Sequence, residues 1–209
     1  MSTVTAPRTT RRRGDLWLLG IGLVVLVLSA LPVDARSVTG PEAAAFRLVN
    51  DVPDLPFPLV WVPMQLGNFL VVPAAVLVAL AFRRWRLALG LGLAGGAAYL
   101  LAKEVKHVVQ RGRPDTVLAD VIIRGDHPRG LGFVSGHIAV VTALAVVAWP
   151  WLPRWARWAT GIAVAAVFLA RMYVGAHLPL DMIGGAALGL ACGAAVRLAL
   201  GTRRKEEVA

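Results

Sequence analysis

Apolar residues come in runs near twenty long, separated by short arginine clusters, and this pattern predicts six helices able to cross a bilayer. The expected spans are residues 15–31, 57–82, 87–109, 135–151, 158–174 and 179–200. Pro32 stops the first span, while Pro58, Pro63 and Pro73 are expected to bend the early part of the second, which a bundle tolerates. Gly90, Gly92, Gly95 and Gly96 in the middle of the third suit close helix contact. Thr39-Gly40-Pro41-Glu42 has the marks of a helix start, with Thr as cap, Pro early and Glu three residues on. Phe46, Val49 and Val52 then recur on one face, which predicts a short helix lying on the membrane surface. Residues 110–133 form a long connection between spans with no predicted helix of its own. Ordinary connections run about 4–6 residues, so a lid or binding loop is expected there.

Composition agrees with the pattern. The chain has 209 residues, 57% of them hydrophobic, and a mean hydropathy of +0.68. The fold class is therefore all-α: a polytopic membrane protein, one six-helix transmembrane bundle with short extracytoplasmic helices. A single domain over 15–200 is expected between a disordered basic tail (1–14) and a second tail (201–209). Arg11–Arg13 before the first apolar run resemble the start of a signal peptide, but no small-x-small cleavage site follows cleanly, so this reads as a retained helix. The lone Cys192 cannot form an intramolecular disulfide and reads as a packing residue.

The net charge of +10 would suit nucleic acid, but the cations sit in clusters between apolar runs, which fits membrane topology and anionic lipid instead. No nucleic-acid partner is expected. Arg11–Arg13, Arg83–Arg86, Arg154 with Arg157, and Arg203–Lys205 fall on alternate ends of six spans. All four thus share one side, which the positive-inside rule makes cytoplasmic, together with both termini. The opposite side carries residues 103–129 and 171–181, and it is basic too. Binding an anion is the simplest reason for that.

Three polar islands break the apolar pattern on this second side: 106–114, 135–137 and 171–181. Ionisable groups near membrane depth are costly and read as functional. Lys106, Arg113 and Arg171 supply cations, and arginine forks match phosphate oxygens. Ser135-Gly136-His137 opens a predicted helix, where unpaired N–H groups and the positive end of the helix dipole favour an anion. His177 and Asp181 are four residues apart. If the last helix begins by Ala176 they share a face, so the carboxylate can hold one ring nitrogen and leave the other free to attack. These parts describe phosphoryl transfer with a nucleophilic imidazole, cations around the oxygens and a second imidazole at the leaving oxygen. No metal-ligand spacing is apparent, so neither a metal nor another cofactor is expected.

Lys106-(six residues)-Arg113-Pro114, Ser135-Gly136-His137 and Arg171-(five residues)-His177-(three residues)-Asp181, in that order, resemble the type 2 phosphatidic acid phosphatase (PAP2) family, whose superfamily includes soluble vanadate haloperoxidases. The resemblance covers residues 106–181. It implies a membrane enzyme of six helices with its site at the outer leaflet. It also implies that His177 is the nucleophile forming a phosphohistidine and that Asp181 orients it. His137 would protonate the leaving group and then activate water, while Lys106, Arg113, Ser135, Gly136 and Arg171 bind the phosphate. Two positions depart from the family pattern: Val134 where Pro is common, and Ala170 where Ser is common. Neither removes a group with a chemical role.

The expected activity is metal-independent hydrolysis of a lipid phosphomonoester or diphosphate on the extracytoplasmic face of a bacterial plasma membrane. Polyprenyl diphosphate such as undecaprenyl diphosphate, phosphatidylglycerol phosphate and phosphatidic acid are the candidate substrates. A lipid-linked phosphotransferase, a non-enzymatic anionic lipid transporter and a vanadate peroxidase are the alternatives. The expected partners are that lipid and the bilayer; the oligomeric state is left open. Other polar residues read as structural. Lys103 snorkels, Glu104 pairs with Lys103 or Arg111, His107 and His127 belong to loops, and Asp115, Asp120 and Asp126 are solvated. Gly185, Gly189 and Gly193 form a packing seam, and most of the seven Trp residues an interfacial belt.

Overall fold

The computed structural model describes residues 9–10 and 13–203, and the chain is helical almost throughout. The expected tails 1–14 and 201–209 lie mostly outside the described residues. In chain order the helices are α1 (Arg13–Ala30), α2 (Gly40–Asn50), α3 (Phe57–Leu66), α4 (Val71–Ala81), α5 (Trp85–Val109), the single turn α6 (Pro114–Val117), α7 (Gly136–Ala148), α8 (Arg154–Tyr173) and α9 (Pro179–Leu200). A 3₁₀ turn, Trp149–Trp151, follows α7.

Among the described residues three stretches are long and apolar enough to cross a membrane: α1, Trp85–Val117 and α9. The pair α3 and α4 passes the same test together but is bent by 68°. The bend differs from the expected one. It lies at residues 67–70, between the helices, and not at the prolines. At the break a Cβ on Gly67 would sit 2.7 Å from the Cβ of His137, so only glycine lets this backbone lie against α7. The last predicted span, 179–200, matches α9, whereas α8 begins four residues before its predicted start.

α9 lies at the centre and packs against α1, α5 and α7. The seam with α7 is made of small residues, as van der Waals packing in lipid favours. A Cβ on Gly185 would meet Ser135 O and Ile138 Cγ2 at 2.5 Å. Gly189 and Gly193 continue the row against Ala139 and Val146, confirming the expected seam. α1 buries only Asp15, Gly22 and Ser29, one residue every second turn, and leaves Trp17, Leu23, Val27 and Leu28 facing outward. Asp15 pairs with Arg197 of α9 at 2.6 Å. The short pairing of Thr9–Thr10 with Thr202–Arg203 gathers both ends of the chain at that same end of the bundle.

α2 differs from a helix simply resting on a surface. Phe46 is buried in a cluster with Ile138, Val167, Leu178 and Met182, while Leu48 faces out. Thr39 is the N-cap as expected but makes no side-chain capping bond. Glu42 is turned into the protein interior.

Replacing Gly185 with Val forces a side chain into the α7–α9 seam and is expected to cost about 1–3 kcal/mol. A lowered thermal midpoint in detergent checks this; an unchanged one contradicts the packing.

Candidate active site

At the end of the bundle away from the termini, the C-terminal ends of α5 and α8 meet the N-terminal ends of α7 and α9. The backbone N–H of Ser135 donates to Asp181 O at 3.0 Å, joining the starts of α7 and α9 directly. Ser135 is the N-cap of α7, is fully buried, and its Oγ has no hydrogen-bond partner within the protein. Gly136 faces open space where a Cβ would stand.

His177 lies before α9, in the extended segment that leads to it, so the condition for a shared helix face, a start by Ala176, is not met. Its contact with Asp181 arises from helix-start geometry instead. Asp181 is the third residue of α9, and its Oδ2 accepts the backbone N–H of Leu178, the N-cap residue, at 3.0 Å. The same oxygen lies 3.3 Å from His177 Nδ1. Arg113 Nη1 donates to His177 Nε2 at 2.9 Å and to Ala176 O at 2.7 Å. A neutral imidazole with its proton on Nδ1 satisfies both neighbours, leaving the Nε2 lone pair toward the arginine.

Lys106 Nζ donates to Leu131 O at 2.6 Å and Gly132 O at 2.9 Å, so it ties the long 110–133 connection to α5. Arg113, itself part of that connection, closes its two ends on each other through Gly130 O and Arg129 O. Arg171 is loosely held: its Nη1 reaches only the sulfur of Met64 at 3.8 Å, and its buried Nε has no hydrogen-bond partner. His137 and Arg171 line a cavity of about 740 Å³, whose other walls include Phe57, Val60, Trp61, Met64 and Tyr173. Lys106, Arg113 and His177 stand outside its walls. All eight residues singled out in the sequence therefore gather at one end of the bundle.

The sequence reading missed two neighbours. Arg111 was assigned only as a partner for Glu104. It instead forms a fork on Glu42 (2.9 and 2.6 Å) and reaches Asp181 Oδ1 at 3.1 Å. Arg124, unremarked in the sequence, donates to Asn50 O, Val52 O and Tyr173 O and pairs with Asp54, clasping the long connection against α2 and α8. Both contacts join positions about seventy residues apart. Periodicity carries no signal for such pairs. Asp126 and His127 are exposed residues of the long connection, as expected, and stand at the rim of the cavity, while Lys103 stacks over Tyr99 at 4.3 Å. Among the described residues no group of three or more His, Cys, Asp or Glu could hold a metal ion.

Burial, followed by the positive charges of Arg113, Arg171 and Lys106 and the neighbouring His137, holds the His177 imidazole well below its ordinary value of 6.5. The unfolded chain takes up a proton there below about pH 6.5 and the folded chain does not. Stability should therefore fall as the pH drops, by up to about 1.4 kcal/mol per pH unit from this group. Between about pH 7.5 and 5.5 the wild type is expected to lose more thermal stability than His177→Ala; equal losses contradict the assignment.

Residues 83–205 match the PAP2 superfamily. An undecaprenyl-diphosphatase of Sulfolobus acidocaldarius is 26% identical over 176 residues, covering 83% of this chain and 85% of that protein. A decaprenylphosphoryl-5-phosphoribose phosphatase of Mycobacterium tuberculosis is 34% identical over 137 residues, covering 63% of this chain and 72% of that protein. The crystal structure of Aquifex aeolicus LpxE shares the fold with a TM-score of 0.69 at 24% identity, over 76% of this chain and 95% of that one. A PAP2-type phosphatidylglycerolphosphate phosphatase from Bacillus subtilis does so with a TM-score of 0.63 at 21% identity, over 88% of this chain and 94% of that one. The chain therefore belongs to the PAP2 superfamily, as a phosphatase with the character of a membrane protein.

Proposed function

We propose that the protein hydrolyses a lipid phosphomonoester or diphosphate through a phosphohistidine on His177, at the extracytoplasmic face of a bacterial plasma membrane. The observation that carries the reading is the pairing at the start of α9: Asp181 at one ring nitrogen of His177 and a guanidinium at the other. In the first step Nε2 attacks phosphorus, the P–N bond forms, and the P–O bond to the lipid breaks. Arg113 turns from Nε2 to the phosphate oxygens as the substrate arrives. Asp181 steadies the imidazolium that develops. Two buried polar atoms without protein partners, Ser135 Oγ and Arg171 Nε, suit an oxygen-rich ligand. Gly136 and the start of α7 offer N–H groups to the same oxygens. His137 gives its proton to the leaving oxygen, then takes one from the water that cleaves the P–N bond. Lys106 adds positive charge, and no step calls on a metal.

The cavity of about 740 Å³ beside His137 suits the leaving lipid, since Phe57, Val60, Trp61 and Met64 make one side of it apolar. The names of the relatives point to prenyl-linked phosphates as the first substrates to try. The six-span reading takes α3 with α4 as one span, and α7 and α8 as two more, beside α1, α5 and α9. It then places the phosphate site and the termini on opposite sides. α9 has 22 residues, about 33 Å at 1.5 Å each, which is close to the thickness of a hydrocarbon core.

Purified protein in detergent with EDTA should release phosphate from at least one of farnesyl diphosphate, phosphatidylglycerol phosphate and phosphatidic acid. His177→Ala should lower turnover by about 10⁴-fold or more. Vanadate, a phosphate mimic, should inhibit. Release abolished by EDTA, or unaffected by His177→Ala, contradicts the mechanism.

Trp61→Ala is expected to raise KM for a long-chain substrate while changing kcat less than about threefold. An unchanged KM contradicts the assignment of the cavity to the lipid.

A further inference from the structure

Arg111 is the largest of the fully buried side chains among the described residues. A cation in such a place must be matched by fixed partners. Its guanidinium forks onto Glu42, Nη1 to Oε1 at 2.9 Å and Nη2 to Oε2 at 2.6 Å, and the same Nη1 donates to Asp181 Oδ1 at 3.1 Å. The other oxygen of Asp181 faces His177 Nδ1 and accepts Leu178 N–H. Glu42 Oε1 accepts Leu180 N–H at 3.0 Å, so both carboxylates also grip the first turn of α9. The result is a continuous buried chain, Glu42–Arg111–Asp181–His177, whose four members are nearly or wholly inaccessible to solvent.

We infer that Arg111, anchored by Glu42, is a positioning residue for phosphoryl transfer: it fixes the rotation of the Asp181 carboxylate, and thereby the direction in which His177 presents Nε2. The inference rests on the reading of His177 as nucleophile. A carboxylate held through one oxygen alone can swing, whereas Asp181 is held through both. Lys106 points its ammonium at the carbonyls of Leu131 and Gly132 and makes no hydrogen bond to Asp181. A lysine at 111 would keep the charge but lose the planar fork that bridges two carboxylates. The role of Glu42 is to keep that fork from rotating toward Asp181 alone. This gives α2, which is remote in sequence from the motifs, a part in the chemistry.

The test uses the full chain in detergent, with the most rapidly cleaved of the three phosphates above as probe. Arg111→Lys, Glu42→Gln, Asp181→Asn and the double variant Arg111→Lys/Asp181→Asn are compared. Arg111→Lys should remain folded by thermal melting, keep KM within about threefold, and lose kcat by at least about tenfold. Glu42→Gln should move kcat the same way by at least about threefold. The double variant should be no more than about threefold slower than Asp181→Asn, because nothing is left for Arg111 to position. A folded Arg111→Lys with wild-type kcat, or losses that multiply in the double variant, would reduce Arg111 to a structural strut. Should Arg111→Lys fail to fold, a folded Glu42→Gln with wild-type kcat overturns the proposal on its own. Retained turnover in His177→Ala sinks the nucleophile reading, whatever Arg111→Lys does. Lost turnover there, with intact Arg111→Lys, sinks the positioning role alone.

Discussion

A carboxylate with no access to water has to be surrounded by donors, and the end of the bundle that bears the candidate site is built around that requirement at Asp181. Its two oxygens meet Arg111, His177 and the N–H of Leu178, and its backbone carbonyl takes the N–H of Ser135. Through these contacts one residue joins the start of α9 to the start of α7, to the long connection after α5 and, by way of Glu42, to α2. A helix start is well suited to this task. Its first N–H groups lack intrahelical partners, and its dipole favours negative charge. The imidazole is then aimed by a carboxylate that the fold already needs to satisfy.

The rest of the bundle follows from lipid as the surrounding solvent. Leu16, Trp17, Val27, Phe82 and Trp155 face outward, and hydrophobicity alone cannot hold such helices together in a bilayer. Small residues and buried polar pairs do so instead: Gly185 against Ser135, Gly22 against Ala187 and Ala191, and Asp15 with Arg197. The same close packing sets the site. Gly67 brings the break between α3 and α4 against His137, where a larger residue would drive the two apart.

The residues of the candidate site were more legible in the sequence than the framework that holds them. Lys106, Arg113, Ser135, His137, Arg171, His177 and Asp181 stand out because polar residues inside apolar runs need a reason, and their order and spacing resemble one family. The bounds of α9 were legible from Pro179 at its start and an unbroken apolar run. The geometry between His177 and Asp181 was not, because a spacing of four suggests a helix face only if the helix starts by Ala176, and His177 precedes it. Glu42 was read as part of a capping box, a local reading that its contact with Arg111 overrides. A bend in the early part of the second span was expected from its prolines, but its place at 67–70 was not legible. Prolines announce kinks in a sequence, whereas a glycine chosen for a neighbour on α7 does not.

The central claim is that the Nε2 of His177 takes the phosphoryl group. Rapid acid-free quenching of the enzyme with ³²P-labelled substrate, followed by peptide mapping of the label, tests it most directly. The account predicts an acid-labile, base-stable label on the peptide containing His177, formed at a rate no slower than turnover. Label on another residue, or steady turnover with no labelled protein at any time, would contradict it.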